Sequence, residues 1–599
     1  MSNNEKKKLD RKTVKSVFLR LCTYVLGYWY LFIPAVLLTL FSNQLSLLGP
    51  KYSGEAIDAL AKASGVDFPA VWENVIKMLL CYLLSAVMSY LLATLMIFLS
   101  QKIVYTMRRQ LFEKLTTLPV GYFDKTPTGD IISRISYDID TVNSSLSHDL
   151  VQIMTSLYTV VGSLVFMWNI SKPLIGVFVI TVPAAILFTR YRSKIVRPLF
   201  SKRSKKLGEL NGYAEEMLSG CRTIQAYERE EEIGRRFNER NRDAMDAYYE
   251  ADYHGCIVGP GMNFINNLSL SLVMILGGML YLLSQNGTVK AGSLFFITLG
   301  GVAQFVQYSR KFAGPINEFA NILSELQSAF SAAERVFRII DENPESKDSP
   351  HAHVLSEVEG KVEFNDVTFG YDPEKIILKG VSFKADCGKT IAIVGPTGAG
   401  KTTVINLLMR FYDVSGGATL VDDIDARDIT RASLRKAYTM VLQDTWLFCG
   451  TIYENIAYGR EGATLDEVKA AAKAARIDSF IESLPDGYDT VLTDDGVNIS
   501  KGQRQLLTIA RAMVSDSKML ILDEATSNVD SRTEIKIQKA MATLMEGRTC
   551  FVIAHRLSTI KNADKILVVQ DGRITEEGTH DELLCNGGFY ATLYNSQFA

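Results

Sequence analysis

Residues 395–402 read GPTGAGKT, three glycines followed by a lysine and a threonine. Glycines let backbone N–H groups wrap phosphate oxygens, and a helix beginning there adds the positive end of its dipole. The preceding TIAIV is a continuous apolar strand and the following TVINLLMRF has a helical pattern, which is the context this motif requires. Lys401 is placed to reach the β- and γ-phosphates of a nucleotide, and the Thr402 hydroxyl to ligate Mg²⁺. Gly395, Thr397, Gly398, Ala399, Gly400 and Thr403 complete the predicted cradle. A second apolar strand, in KMLILDEATSNVD, ends in two carboxylates: Asp523 to orient the metal shell, Glu524 to polarise an attacking water. A third, in CFVIAHRLS, leads to His555, predicted to touch the γ-phosphate. Alone, the carboxylates read as a helix cap and the histidine as structural. Following this phosphate loop, they predict ATP hydrolysis.

The elements that must position these groups fall into two parts. After residue 360 the chain reads as a charged α/β protein, opening with the alternating strand KVEFNDVTFGY. Before residue 330 it holds long uncharged apolar runs near 21–48, 78–101, 150–171, 173–190, 256–284 and 291–309. A helix needs about 20 apolar residues to cross a bilayer, so six spans are predicted. Pro173 and Pro183 are expected to kink the fourth. The polar stretch 341–360 reads as a linker, and the predicted organisation is 1–20 cytoplasmic segment, 21–330 transmembrane domain, 331–360 linker and 361–599 nucleotide-binding domain.

Lysine and arginine crowd the N-terminus and the segments after spans two and four, as in RYRSKIVRPLFSKRSKK, placing both termini in the cytoplasm. The first apolar run is too long for a signal-peptide core and no small-residue cleavage site follows it, so an anchor is expected. The long inner segments, 102–149 and 191–252, read as cytoplasmic extensions of membrane helices. A net charge of −2 gives no sign of nucleic-acid binding; eight cysteines are scattered without metal-ligand spacing, and the four in the soluble part fit a reducing cytosol.

In combination these residues resemble the ATP-binding cassette (ABC) transporters, specifically exporter half-transporters with one membrane domain fused ahead of one nucleotide-binding domain. The resemblance covers nearly the whole chain. It implies an all-α transmembrane domain with six spans and long cytoplasmic helices, followed by an α/β P-loop ATPase domain with a helical subdomain. It further implies that Tyr371 stacks on adenine and that Gln443, in VLQDTWLF, senses Mg²⁺ and the membrane domain. Ser527–Asp530 matches a loop crossing the dimer interface, and turns near Tyr122–Gly129 and Gly212–Cys221 look like coupling helices. Cassettes of this family pair head to tail, each ATP lying between the phosphate loop of one and the signature of the other. A chain with one cassette therefore needs a second half-transporter.

The family signature is Leu-Ser-Gly-Gly-Gln. Here it reads Ile499-Ser500-Lys501-Gly502-Gln503, with Ser500, Gly502 and Gln503 kept and Lys501 replacing a glycine. Either Lys501 is drift with its side chain in solvent, or the chain is the subunit of a heterodimer that keeps Glu524 and His555 but offers its partner an altered signature. In the membrane part, Asn263, Asn267 and Ser271 share one helical face of span five, and Gln304, Gln307, Tyr308 and Lys311 one face of span six. Such residues avoid lipid; they line a substrate cavity or bond neighbouring helices. Arg310 and Lys311 each oppose burial by about 2.5–3.5 kcal/mol, so the inner boundary or a watery vestibule is expected for both. The function read here is ATP-driven export or flipping of an amphipathic drug or lipid across a bacterial cell membrane. An ATP-gated channel or sensor and a homodimeric lipid flippase are the alternatives; an importer is disfavoured by the fusion.

Overall fold

The chain divides into two units in the computed structural model, residues 1–116 with 128–342 and residues 117–127 with 343–599. The structure describes residues 11–62, 65–286, 293–372, 374–442, 445–493, 499–523, 530–553 and 560–598. Among the described residues, every regular element of the first unit is a helix. It contains α1 (Arg11–Gly27), α2 (Trp29–Leu60) and α3 (Phe68–Leu115); α4 (Val120–Lys125) belongs to the second unit; α5 (Thr128–Ile170), α6 (Lys172–Ser219), α7 (Cys221–Ala226), α8 (Glu230–Gln285) and α9 (Leu299–Ile340) follow.

Among the described residues α2, α3, α5, α6 and α8 are long and apolar enough to cross a bilayer. Helix α9 has the length, 42 residues, but its opening turns carry Gln304, Gln307, Arg310 and Lys311. It starts at Leu299 rather than 291, because Thr298 caps the Gly301 N–H at 2.9 Å and Asp58 takes the Gly300 N–H at 2.7 Å. The run expected at 21–48 is broken between α1 and α2, at Tyr28. Pro173 sits in the first turn of α6, where its missing N–H costs nothing, and only Pro183 and Pro198 lie inside. Helices α3 and α6 have 48 residues each, about 72 Å at 1.5 Å per residue, far beyond the roughly 30 Å of hydrocarbon. The second coupling turn, expected from Gly212, comes later: α6 continues through Gly212 to Ser219 and breaks at Gly220.

In the second unit, β1 (Val362–Phe369), β2 (Leu378–Ala385), β4 (Gly416–Val421) and β5 (Ile424–Asp425) form an antiparallel sheet in the order β2-β1-β4-β5, with β3 (Thr390–Val394) between β2 and β4 in sequence. The larger sheet has the order β12-β11-β3-β10-β9-β6, with β6 (Tyr438–Val441), β9 (Met519–Asp523), β10 (Thr549–Ile553), β11 (Lys565–Gln570) and β12 (Arg573–Gly578). All but the edge strand β12 run parallel. Their apolar runs follow from burial on both faces, as parallel sheets require. A short ladder, β7 (Gly450–Thr451) with β8 (Val491–Leu492), belongs to the helical part.

Helix α10 (Lys401–Leu408) follows β3, and α11 (Arg431–Ala437) precedes β6. The helical part comprises α12 (Ile452–Ala457), α13 (Leu465–Ala474), α14 (Asp478–Glu482) and α15 (Lys501–Val514). Helices α16 (Ser531–Met545), α17 (His580–Cys585) and α18 (Phe589–Phe598) follow.

The stretch that reads as a linker is tied down. Residues 331–340 are the last turns of α9, and residues from 343 onward belong to the second unit. Buried Arg431 bonds Asp348 at 2.8 Å and Asp413 at 2.9 Å, and Arg435 bonds Glu345 at 2.5 Å. The Glu345 N–H donates to the Thr117 carbonyl at 2.9 Å, joining 117–127 to the same network. The charges that made this stretch look solvated are the groups that fix it.

Candidate nucleotide site and membrane cavity

The parallel strands β3, β10, β9 and β6 bring their C-terminal ends to one edge, where ligands bind in such sheets. At the end of β3, Gly395 has φ 151° and Gly400 φ 107°. A Cβ on Gly395 would lie 2.1 Å from the Val569 carbonyl oxygen, and one on Gly400 2.8 Å from Leu378 Cδ2, so only glycine fits either place. Gly398, between them, also has positive φ, at 83°. Gly400 is the N-cap of α10 and supplies no capping side chain, leaving the helix start to backbone N–H groups. Thr402 and Thr403 occupy its first turn.

Lys401 curls over the loop, its Nζ donating to the carbonyls of Gly395 at 2.8 Å and Pro396 at 3.0 Å. Burial lowers its pKa while the Asp523 carboxylate opposes that shift, so the two charges sense each other across the strand ends. Asp523 closes β9 opposite Ile553 of β10. These features fit a bound triphosphate: a loop of amides closely approached at Gly395 and Gly400, one ammonium, and a hydroxyl and a carboxylate of the kind Mg²⁺ takes alongside phosphate oxygens.

Gln443, Glu524 and His555, the residues expected to do the chemistry, lie outside the described residues, as do Ser527, Asn528 and Val529. Covalent connectivity still constrains them. Glu524 directly follows the last residue of β9, while Gln443 and His555 come two residues after the ends of β6 and β10.

Tyr371 packs on the same loop–helix element: its phenol accepts from Asn406 Nδ2 at 2.9 Å and donates to Thr403 Oγ1 at 3.4 Å. Its ring stands edge-on to Phe369 at 5.1 Å and to Tyr412 at 5.0 Å. Tyr412 carries no expectation from sequence, yet it links this aromatic cluster to α4. Its hydroxyl donates to Asp124, and Gly121 approaches so closely that a Cβ there would lie 2.8 Å from the ring. Burial, and then the Asp124 carboxylate, push the phenol above its ordinary range, keeping it a donor.

In the signature, Ser500 caps α15 by accepting from the Gln503 N–H at 3.3 Å, and the Gln503 side chain accepts from the Ser500 N–H at 2.9 Å. Gly502 is buried and Lys501 exposed. Arg511 on the same helix, also unmarked by the sequence, donates to the Asn455 carbonyl at 2.8 Å and the Trp446 carbonyl at 3.0 Å. It ties the signature helix to the segment that follows Gln443. Asp530 caps α16 through the Thr533 N–H at 3.0 Å, and that bond holds its carboxyl below the usual range.

In the membrane unit the polar residues separate into two groups. Pro50 has no N–H, so the Ser46 carbonyl four residues earlier loses its helical partner. Lys311 donates to that carbonyl at 3.1 Å and to Ser46 Oγ at 2.7 Å. Around it Tyr308 bonds the Leu47 carbonyl at 2.6 Å, Gln304 the Lys51 carbonyl at 3.1 Å and Gln307 Ser53 Oγ at 3.0 Å. Of the two readings of this face, the bond to a neighbouring helix is the one observed: Gln304, Gln307 and Tyr308 stitch α9 to α2. Tyr308 is fully buried and stacked on Phe166 at 4.9 Å.

Span five differs. Asn267 lines a cavity of about 270 Å³ between α6, α8 and α9, with Thr181, Asn266, Ser269, Ser309 and Arg310 as other polar members and Phe178 and Phe312 among the apolar ones. Asn263, one turn earlier, is exposed and not part of that lining.

Residues 31–306 match the family model described as the ABC transporter transmembrane region, and residues 378–527 that described as ABC transporter. A protein of Bacillus subtilis (strain 168) described as an uncharacterized ABC transporter ATP-binding protein is 42% identical over 99% of this chain and 96% of its own length. The fatty acid ABC transporter ATP-binding/permease protein of Mycobacterium tuberculosis (strain CDC 1551 / Oshkosh) is 44% identical over 88% of this chain and 81% of its own. Among solved structures, a bacterial Atm1-family ABC exporter with ATP bound superposes with a TM-score of 0.75 at 31% identity, covering 95% of this chain and 98% of that one.

Proposed function

Because this chain belongs to the ABC transporter family, as a multi-pass, ATP-hydrolysing half-transporter of the exporter kind, we propose that it moves a lipid-like amphiphile across a bacterial cell membrane as one subunit of a heterodimer. The observation that carries the nucleotide half of this reading is the edge where the glycine cradle, Lys401 and Asp523 converge. The loop amides and Lys401 bind the β- and γ-phosphate oxygens, and Tyr371 stacks on the base. Thr402 and Asp523, assisted by Gln443, would hold Mg²⁺, which would neutralise phosphate charge. Glu524 polarises the attacking water and His555 contacts the γ-phosphate. Ser500, Gly502 and Gln503 complete the ATP site of the partner subunit, because triphosphate charge is balanced only by donors from both sides. ATP thus favours the closed pair and hydrolysis releases it, which is the bistable element that transport needs.

Two observations support the finer assignments. The fatty acid transporter among the relatives favours a lipid-like cargo over other amphiphiles. Lys501 supports the unequal pair. As the first residue of α15 it places a positive charge at the positive end of the helix dipole, costing about 0.3–1 kcal/mol at an exposed site. Local helix stability therefore gives no reason for a lysine there, whereas an altered contact to the partner's ATP does. Expressed with its partner, the chain should hydrolyse ATP and load inside-out vesicles with tetradecanoate, and Glu524→Gln should stop both. Undiminished phosphate release in that variant would show that the motor is misassigned. Full turnover by this chain alone would exclude the heterodimer. Both termini are assigned to the cytoplasm from the lysine and arginine distribution, which cysteine labelling from either side of the membrane tests.

A further inference from the structure

Arg310 and Lys311 are adjacent cations on α9 with opposite fates. Neighbouring positions on a helix point about 100° apart, so one faces α2 and the other does not. Lys311 is consumed by Ser46. Arg310 is exposed, has no hydrogen-bonding or ion-pair partner among the described residues, and is the one ionisable residue lining the cavity between α6, α8 and α9. Among the described residues no carboxylate lines that cavity to neutralise it. An unpaired guanidinium within a membrane helix is costly and is retained where it faces water or a ligand. Its planar fork of donors matches carboxylate and phosphate oxygens two at a time.

The rest of the lining states what else the ligand must be. Asn266, Asn267, Thr181 and Ser269 supply neutral polar groups, while Phe178, Val182, Leu270 and Phe312 supply apolar wall. Thr181 and Ser269 already share a hydrogen bond of 3.2 Å, and the Ser309 hydroxyl donates to the Phe305 carbonyl at 2.6 Å, so the amides and the guanidinium are the groups left to recognise a headgroup. About 270 Å³ lies at the lower limit of small-molecule sites, enough for a headgroup and its first methylenes but not for a whole long-chain lipid.

We infer that this cavity is the headgroup site of an anionic amphiphile, with Arg310 binding its carboxylate or phosphate oxygens. The inference rests on the exporter reading and narrows its cargo to anions. The assembled transporter in lipid nanodiscs is titrated with tetradecanoate, tetradecyl phosphate and uncharged tetradecanol, and stimulation of ATP hydrolysis is followed. Arg310→Gln should raise the half-maximal concentration of the anions at least tenfold and leave that of the alcohol where it was. Arg310→Lys should recover part of the loss. Asn267→Asp, which adds a carboxylate to the same lining, should weaken the anions alone and serves if Arg310→Gln does not assemble. The stronger of the two anions identifies the headgroup. Equal shifts for anions and alcohol, no shift for either, or no response of the unmodified transporter to any of the three would overturn the assignment. Failure of the motor reading shows separately, as ATP hydrolysis that survives Glu524→Gln.

Discussion

The nucleotide unit and the membrane unit use polar groups in opposite ways. At the ends of β3 and β9 the backbone amides, Lys401 and Asp523 gather where a soluble ligand can reach them. On α9 a polar stripe of similar appearance is spent within the protein, four side chains bonding α2 and one of them, Lys311, meeting the carbonyl that Pro50 frees. The solvent explains the difference. Water can satisfy a group that awaits a ligand, whereas in hydrocarbon a carbonyl freed by proline must find a protein donor. A polar side chain thus indicates a site in the first unit only when no backbone defect lies opposite it.

The comparison can be broken most sharply at Lys401. Lys401→Ala should lower ATP turnover by at least about 10²-fold, equivalent to roughly 2.7 kcal/mol of lost transition-state stabilisation, with little change in thermal midpoint. Lys311→Met should show the reverse pattern, costing about 1–3 kcal/mol of stability as the Ser46 carbonyl is left unpaired. Pro50→Ala should repair much of that loss, since an alanine N–H can reach Ser46; a thermal-unfolding cycle of the two variants measures the repair. If Lys311→Met leaves stability intact but abolishes transport, the stripe is a site after all.

Tyr412→Phe keeps the ring on Gly121 and removes the bond to Asp124, a loss of about 0.5–1.5 kcal/mol. It should reduce substrate-stimulated ATP hydrolysis more than the unstimulated rate. Gln307→Leu should cost about 0.6 kcal/mol of stability without altering apparent affinity for tetradecanoate, whereas Asn267→Leu should alter affinity and not stability. The smallest effect concerns Glu467, whose carboxyl is held at about 2 by the Thr464 N–H, then by Arg460 and the Thr464 hydroxyl, against an ordinary value of 4.5. A depressed carboxylate stabilises fully above its ordinary value and loses that contribution as pH falls toward the folded one. Glu467→Gln should therefore flatten the loss of stability between about pH 4.5 and 2, read by acid titration of helicity.

What the sequence revealed follows the same division. The phosphate loop is legible because its glycines are demanded by local backbone geometry, and the parallel strands because burial on both faces leaves them uninterrupted. Asp523 was readable as the polar end of such a strand. Tyr412 and Arg511 were not, since their partners, Asp124 and Asn455, are distant in sequence and no spacing links them. The polar face of α9 was visible, but its partners lie on α2, more than 250 residues away. The apparent linker misled because its acidic groups pair with Arg431 and Arg435, and a count of charges does not show pairing.

The small excursion 117–127 carries a consequence of its own. It is covalently part of the N-terminal half yet is held by residues of the C-terminal half, through Thr117 and Asp124. Severing the backbone between 342 and 343 would leave each fragment with a surface already shaped for the other. Two polypeptides translated from separate messages would have a place to meet, so fission of such a gene need not be lethal, and a nicked transporter need not fall apart.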